Sequence, residues 1–447
     1  MKQIIIAVGL LIGHFGYGQD CTNDVHAPCS WAFNTCHYKE KVSEYKEKKV
    51  VDVERLVFVE DCAKCCAKDF QLDTIAPNFV QDLPNIEVLK MPLVCQFPSG
   101  ISALKSLKKV EQYAYHSLYS HKLFYQELPQ IPAELWGMQS LEELSLYVEQ
   151  LPAAIQQLSQ LRFLELHIEN HLKGNVLPEA AIWQKLDELE TVRLRSEYLK
   201  QADLNNLSGL KKLRSFSLQT NNEQDYFAYA CLDVLKDNYQ TIEELVLMTN
   251  TYRYDLLYDS DWARKETKKI RANDDAVTKV VANPLETTAC PNLKRLVLRD
   301  CAIAVFELNT NLLPKLERLD LSFNKLKDLK INANTASSIK ELDLAHNYLT
   351  SLPSDITKLT NLEVLDLSGN PILSLPKGIE ELPNLKKLIL DARTPEAIQK
   401  ELKARLGARL ILSNDYSYPR ENWLNDNFLA LSKMFGVVCS VIKLVAR

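Results

Sequence analysis

The chain has 447 residues, of which 46% are hydrophobic and 25% charged, with only 12 Gly. That is enough apolar material for a long packed core, and it excludes an intrinsically disordered or low-complexity chain. A net charge of -5 and a pI near 6.0 leave no basic excess and argue against a general nucleic-acid binder.

The N-terminus reads as an address. Lys2 precedes an apolar run from Ile4 to Ile12, and Gly16-Tyr17-Gly18 brackets a cleavage site after Gly18. Residues 1–18 are expected to be a secretory signal peptide, with an apolar run too short for stable membrane insertion. Gly18-Gln19-Asp20 stands before Cys21 in place of the small and leucine residues of a bacterial lipoprotein site, so no lipid anchor is expected. The mature chain is expected in the periplasm, at the cell surface or secreted, where disulfides are permitted.

Cysteine placement agrees with export. Six of the eleven, Cys21, Cys29, Cys36, Cys62, Cys65 and Cys66, fall within the first 66 residues, and Cys95 follows. Residues 19–52 read as a cysteine-rich N-terminal cap covering one end of an otherwise open core. The Cys62-Ala-Lys-Cys65 spacing also admits a redox-active pair, or a zinc site completed by Cys36, His37 or Cys66. A redox pair belongs at a helix start, whereas this one follows the strand-like Arg55 to Val59, and zinc needs free thiolates. Structural disulfides are the expectation, with neither metal nor cofactor. Cys301 is expected to be buried and inert, and Cys231, Cys290 and Cys439 have no evident partner.

A period then sets in. Faint apolar-x-x-Leu-x-Leu frames start at Val53, Ile86, Leu107, Leu141, Leu161, Leu189, Leu213 and Ile242, and strict ones start every 23 residues at Leu293, Leu316, Ile339, Leu362 and Leu385. Phe97-Pro98, Ile131-Pro132, Leu151-Pro152, Leu352-Pro353 and Leu375-Pro376 each lie ten residues before a frame start. They open the pattern apolar-Pro-x-x-apolar-x-x-apolar, in which proline suits the first turn of a short helix. Insertions near 113–130 and 251–290 interrupt the period. The second carries Tyr252, Tyr254, Tyr258 and Trp262, and its 51-residue gap is long enough to hide two degenerate repeats.

Leu316-Glu-Arg-Leu319-Asp-Leu321-Ser-Phe-Asn324 is the clearest copy, and Asn347 and Asn370 repeat its corner asparagine. The pattern closely resembles the leucine-rich-repeat family. The fold class expected is α/β: a leucine-rich-repeat solenoid over 53–412, with a curved parallel sheet on the concave face and short helices and 3₁₀ turns on the convex face. Residues 413–447 place Phe428, Leu431, Phe435, Val438, Ile442 and Val445 on one helical face, which suits a capping helix, with a membrane-surface helix as rival.

No Gly-rich phosphate loop, His-Glu-x-x-His or Gly-x-Ser-x-Gly occurs, so no enzyme activity is expected. Function then falls to the concave face. With the fourth and sixth residues of each frame turned inward, the third, fifth and seventh face the cavity. In the N-terminal half these include Glu111, Tyr113, Glu143, Tyr147, Phe163, Glu165, His167, Arg193 and Arg195, with Met248, Arg295 and Arg299 further on. Aromatic residues and arginine are the usual anchors of a protein interface. In the later frames Asp320, Ser322, Asp343, Ala345, Asp366 and Ser368 read as ordinary small residues of the repeat. The expectation is an exported module that binds a protein partner. A glycan stacked on Tyr113, Tyr147 and Phe163 is an alternative ligand; a thiol-active protein using Cys62 and Cys65, or a structural envelope protein, are alternative functions.

Overall fold

The computed structural model describes residues 49–52, 79–93, 96–113, 128–168, 176–196, 199–220, 227–249, 283–333 and 337–413. The signal peptide, the cysteine-rich cap up to residue 48, Cys62, Cys65, Cys95, Cys439, the tail from 414, and Tyr252, Tyr254, Tyr258 and Trp262 lie outside them. The chain divides in sequence, between Tyr147 and Val148, into two compact units.

In the first unit, strands β1 (Val50–Asp52), β2 (Val88–Pro92), β3 (Lys109–Tyr113) and β4 (Glu143–Val148) pair in parallel in chain order. Val88, Lys109 and Glu143 are in register, which confirms the frames at Ile86, Leu107 and Leu141. The frame expected at Val53 lies outside the described residues. Val51 pairs with Leu89 and is fully buried, so it takes the fourth position of a frame that begins at Lys48 in the sequence.

The second unit carries β5 (Phe163–Ile168), β6 (Thr191–Ser196), β7 (Ser215–Thr220), β8 (Glu244–Met248), β9 (Arg295–Arg299), β11 (Arg318–Asp320), β13 (Glu341–Asp343), β14 (Val364–Asp366), β15 (Lys387–Asp391) and β16 (Leu410–Ser413) in one parallel order. β10 (Val305–Asn309) and β12 (Asp328–Asn332) pair separately. β8 pairs directly with β9 across the 51-residue step between their frames, and residues 250–282 lie outside the described residues. β16 is an added repeat that opens on Gly407 in place of an apolar residue.

One period explains the core. The fourth and sixth residues of every frame from Leu161 onward point inward, and pairs such as Leu164 and Leu166, Phe216 and Leu218, or Leu365 and Leu367 are no more than 1% exposed. Each leucine so buried contributes about 1.5–3 kcal/mol that a single repeat could not secure by itself. The corner asparagines tie successive layers together. Asn347 donates through Nδ2 to the carbonyls of Leu321 and Leu344 at 2.9 and 3.0 Å, and its Oδ1 accepts the Leu326 N–H at 2.9 Å. Asn324 and Asn370 make the same bonds one layer away. The residue before each corner, Phe323, His346 or Gly369, takes a left-handed backbone with φ of 61°, 54° or 68°. A Cβ at Gly369 would lie 2.6 Å from His346 Nδ1, so a larger residue there would have to displace the imidazole as well as adopt the left-handed backbone.

The return side is built as expected, with one adjustment. Short 3₁₀ turns run Ala133–Gly137, Ala153–Gln157 and Ser354–Lys358, but Pro132, Pro152 and Pro353 sit at the N-cap with ψ of 137–151° rather than inside the first turn. The extended backbone brings the strand-to-turn corner, while the fixed φ still aims the chain into the turn. Among the described residues of the second unit, four short α-helices occupy return segments: α1 (Ala180–Trp183), α2 (Gln201–Asn206), α3 (Phe227–Val234) and α4 (Glu396–Leu406).

A column of alternating charge runs along the second residue of the frames. In the second unit it reads Arg162, Glu190, Arg214, Glu243, Lys294, Glu317, Lys340, Glu363, Lys386. Its ion pairs include Arg162–Glu190 at 2.7 Å, Arg214–Glu190 at 3.6 Å, Arg214–Glu243 at 3.1 Å, Lys294–Glu243 at 2.7 Å, Lys340–Glu317 at 2.9 Å and Lys386–Glu363 at 2.5 Å. The first unit repeats the scheme with Lys49–Glu87 and Lys108–Glu142. These pairs are solvent-exposed and individually weak, but a strand slipped by one layer would set like charges together.

Candidate functional site

Side chains on β5 and β6 alternate as the frames require. Leu164, Leu166 and Ile168, then Val192, Leu194 and Ser196, point into the core; Phe163, Glu165 and His167 are half-buried on the opposite face. Arg193 and Arg195 on that face are exposed. The register sets Glu165 beside Arg193 and His167 beside Arg195, with Ser217 and Gln219 of β7 on the other flank. The Arg193 guanidinium lies 5.3 Å from the centre of the Phe163 ring, a cation–π contact. Among the described residues Arg195 has neither an ion pair nor a ring contact, and Arg193 has no ion pair.

In the first unit the same positions are already neutralised. Lys109 bridges Glu143 at 2.9 Å and Glu111 at 3.4 Å, and Lys90 approaches Glu111 at 3.3 Å. Tyr113 and Tyr147 are half-buried, and the Tyr147 N–H donates to Gln112 Oε1 at 3.1 Å. This face has aromatic surface but no uncommitted charge of its own among these residues.

Further along the second unit the lanes are closed to solvent. Met248 and Arg299, expected to project into the cavity, are 2% and 4% exposed; Val246 and Val297 are 3% and 0% exposed. The Arg299 guanidinium lies 4.9 Å from the Phe323 ring, which stacks on His346 at 4.2 Å. Arg295 is committed to Glu244 at 2.7 Å. Arg295 and Arg299 therefore do not share the open surface that Arg193 and Arg195 occupy.

The small polar residues of the strict repeats form a column of carboxylates. Asp320 Oδ1 accepts the Ser322 N–H at 2.9 Å and Oγ at 2.6 Å, and Asp366 Oδ1 does the same with Ser368 at 2.9 and 2.7 Å. Asp343 Oδ1 accepts the Ala345 N–H at 2.9 Å. Asp320 is 0% exposed. Loss of solvation, then repulsion from Asp320 and Asp366, holds the Asp343 carboxyl well above the usual carboxylate range; loss of solvation also raises Asp366.

Chemistry of other kinds finds little support in the described residues. No group of three or more His, Cys, Asp or Glu among them is arranged to hold a metal ion. Cys231, Cys290 and Cys301 are free thiols in the core; burial pushes Cys290 up to about 12 and Cys301 well above its ordinary value. These thiols are inert at neutral pH, as expected for Cys301. Among the described residues no helix is long and apolar enough to cross a membrane.

Ser217 and Gln219 were not singled out from the sequence, although the Leu213 frame places them at its fifth and seventh positions. The alternating column was missed for a similar reason: it lies on the second residue, outside the cavity-facing positions.

Two family models described as leucine rich repeat match residues 337–392 and 313–329. No curated protein sequence matches the chain. Among solved structures, a leucine-rich-repeat protein of Leptospira interrogans is similar at 20% identity, covering 86% of this chain and 99% of its own, with a TM-score of 0.42. The Toll–Spatzle complex of Drosophila is similar at 16% identity over 76% of this chain and 45% of that one, with a TM-score of 0.43. The plant peptide hormone receptor RGFR1 in complex with RGF2 follows at 15% identity, 75% and 54% coverage and a TM-score of 0.36. With its matched repeats, its parallel strands one per frame and its asparagine corners, the chain carries leucine-rich repeats and folds as a leucine-rich-repeat solenoid.

Proposed function

We propose that the chain is an exported binding module, without catalytic activity, that takes a protein partner on the cavity face of β5 to β7. The observation that carries this reading is the exposed pair Arg193 and Arg195, beside the half-buried Phe163, on a sheet where Arg295 and Arg318 are ion-paired and Arg299 is covered. Arginine with an aromatic neighbour is the composition of interface anchors, and a solenoid strand presents them without loop-ordering cost. Leucine-rich repeats are a scaffold for many functions, so the fold supports the class of activity and the side chains supply the site.

A photo-crosslinking residue placed at Ser217 tests this directly. Exposed to surface and secreted protein extracts, the mature chain should label a discrete partner, and Phe163→Ala with Arg193→Ala and Arg195→Ala should abolish the label. Equal labelling by both chains would move the interface away from β5 to β7.

A further inference from the structure

The two guanidiniums on β6, exposed and without an ion pair among the described residues, also point to the chemistry of the partner. We infer that Arg193 and Arg195 grip an acidic, extended protein segment whose carboxylates stand at alternate residues; this rests on the binding-face reading above.

Among the described residues, several arginines on or beside other strands are ion-paired or covered within the fold. Arg162 pairs with Glu190, Arg214 with Glu190 and Glu243, Arg295 with Glu244 and Arg318 with Glu341, while Arg299 lies against Phe323. Arg299, which like Arg193 lies against a ring, differs from it in being only 4% exposed. The layer beyond β6 places only Ser217 and Gln219 beside Arg193 and Arg195. Glu165 stands beside Arg193 on the other layer, yet the guanidinium lies over Phe163 and makes no ion pair among the described residues.

Two residues apart on one strand, the side chains project from the same face about 6.6–6.8 Å apart. An extended partner repeats its own side chains at the same interval, so acidic residues at i and i+2 match the pair one to one. Each guanidinium offers a planar fork of donors suited to bidentate carboxylate binding. The half-buried Ser217 hydroxyl and Gln219 amide can serve the same segment's backbone. A nucleic acid is the weaker match: two arginines are no stripe, and the chain's net charge is -5.

The test is fluorescence anisotropy of labelled ten-residue peptides with the purified mature chain. The probes are an alternating Glu-Ser peptide, its Gln-Ser and Lys-Ser counterparts, and a single-stranded oligonucleotide. The Glu-Ser peptide should bind saturably and weaken as salt rises. Losing either guanidinium should weaken it by about tenfold to a hundredfold, and Arg193→Glu with Arg195→Glu should abolish it. Arg193→Lys with Arg195→Lys should restore binding only in part, because lysine cannot form the bidentate pair. Lys400→Glu with Lys403→Glu, exposed on α4, matches the charge change and should leave binding intact. Both arginines are exposed, so the variants should keep the parent's circular dichroism and melting.

Glu-Ser binding that survives the double reversal, or an absence of saturable Glu-Ser binding, overturns the inference. Preference for the oligonucleotide overturns it in favour of a polyanion. If the Gln-Ser or Lys-Ser peptide binds and is lost with Phe163→Ala, the binding face stands and the acidic partner does not. If no peptide binds and the Ser217 crosslinker labels nothing, both readings fall.

Discussion

On β5 to β7 the cavity lanes hold Arg193 and Arg195 exposed, with Glu165, His167, Ser217 and Gln219 half-buried; on β8, β9 and β11 the same lanes hold Val246, Met248, Val297, Arg299, Asp320 and Ser322, each no more than 4% exposed. Both regions use one strand geometry, one register and one inward pair of apolar residues per frame. They differ in what the outward residues find. In the closed region apolar side chains form a cluster, Arg299 meets an aromatic ring, and aspartates bond to their own backbone. In the open region the charges of β6 are left for something else. A repeat scaffold can thus keep a constant core while dividing its outward face into a structural part and a part available for binding.

Substitutions that interchange the two regions should separate them most strongly. Val297→Asp places a carboxylate in a fully buried lane and should cost more than about 4 kcal/mol, enough to unfold the second unit locally. Ser217→Asp should change stability by less than about 0.5 kcal/mol, yet it places a carboxylate beside Arg193 and should compete with an acidic ligand. Chemical denaturation of the two variants reads both effects, and equal losses of stability would erase the distinction.

The corner comes next. Asn347→Ala leaves the Leu326 N–H and the Leu321 and Leu344 carbonyls without their partner and should cost about 2–4 kcal/mol by denaturation. A loss below about 1 kcal/mol would mean that the ladder adds little to packing.

The half-buried aspartates Asp343 and Asp366 give a pH dependence of defined sign. Asp343 and Asp366 have folded-state values above their unfolded ones, so the native state holds more protons than the unfolded chain between those values. Their contribution is therefore present at low pH and lost as pH rises through the raised range. Glu243 and Asp391, held low by Lys294 and Arg393 respectively, act in the opposite sense: their contribution is lost as pH falls. Comparing the parent with Asp343→Asn isolates the first effect. The variant should gain relative stability as pH rises from 4 to 8, and parallel melting curves across that range would contradict it.

The charge column should show the smallest effect. Glu190→Lys faces Arg162 and Arg214 with a like charge and should cost about 0.5–1 kcal/mol at low salt, shrinking as salt is added. A loss independent of salt would assign the cost to packing.

Much of the fold was legible because the signal is periodic. Strict frames from Leu293 to Leu385 fixed five strands in register, and the corner asparagines announced the turns between them. The limits lay where the apolar mark is missing: Lys48 opens the frame of β1, and Gly407 opens that of β16. The direction of the β5 and β6 side chains followed from alternation alone. Their availability did not. Arg195 and Arg299 occupy equivalent outward lanes, and only three-dimensional surroundings leave one exposed and the other beside Phe323. The column of alternating charge was fully written in the sequence, at a position that cavity-facing arguments pass over.

Arginine-selective footprinting tests the central distinction most directly. With the folded chain treated with phenylglyoxal and analysed by mass spectrometry, Arg193 and Arg195 should react faster than Arg295, Arg299 and Arg318, and the acidic peptide should protect them. Fast modification of Arg299 alongside a protected Arg193 and Arg195 in the free chain would contradict the account.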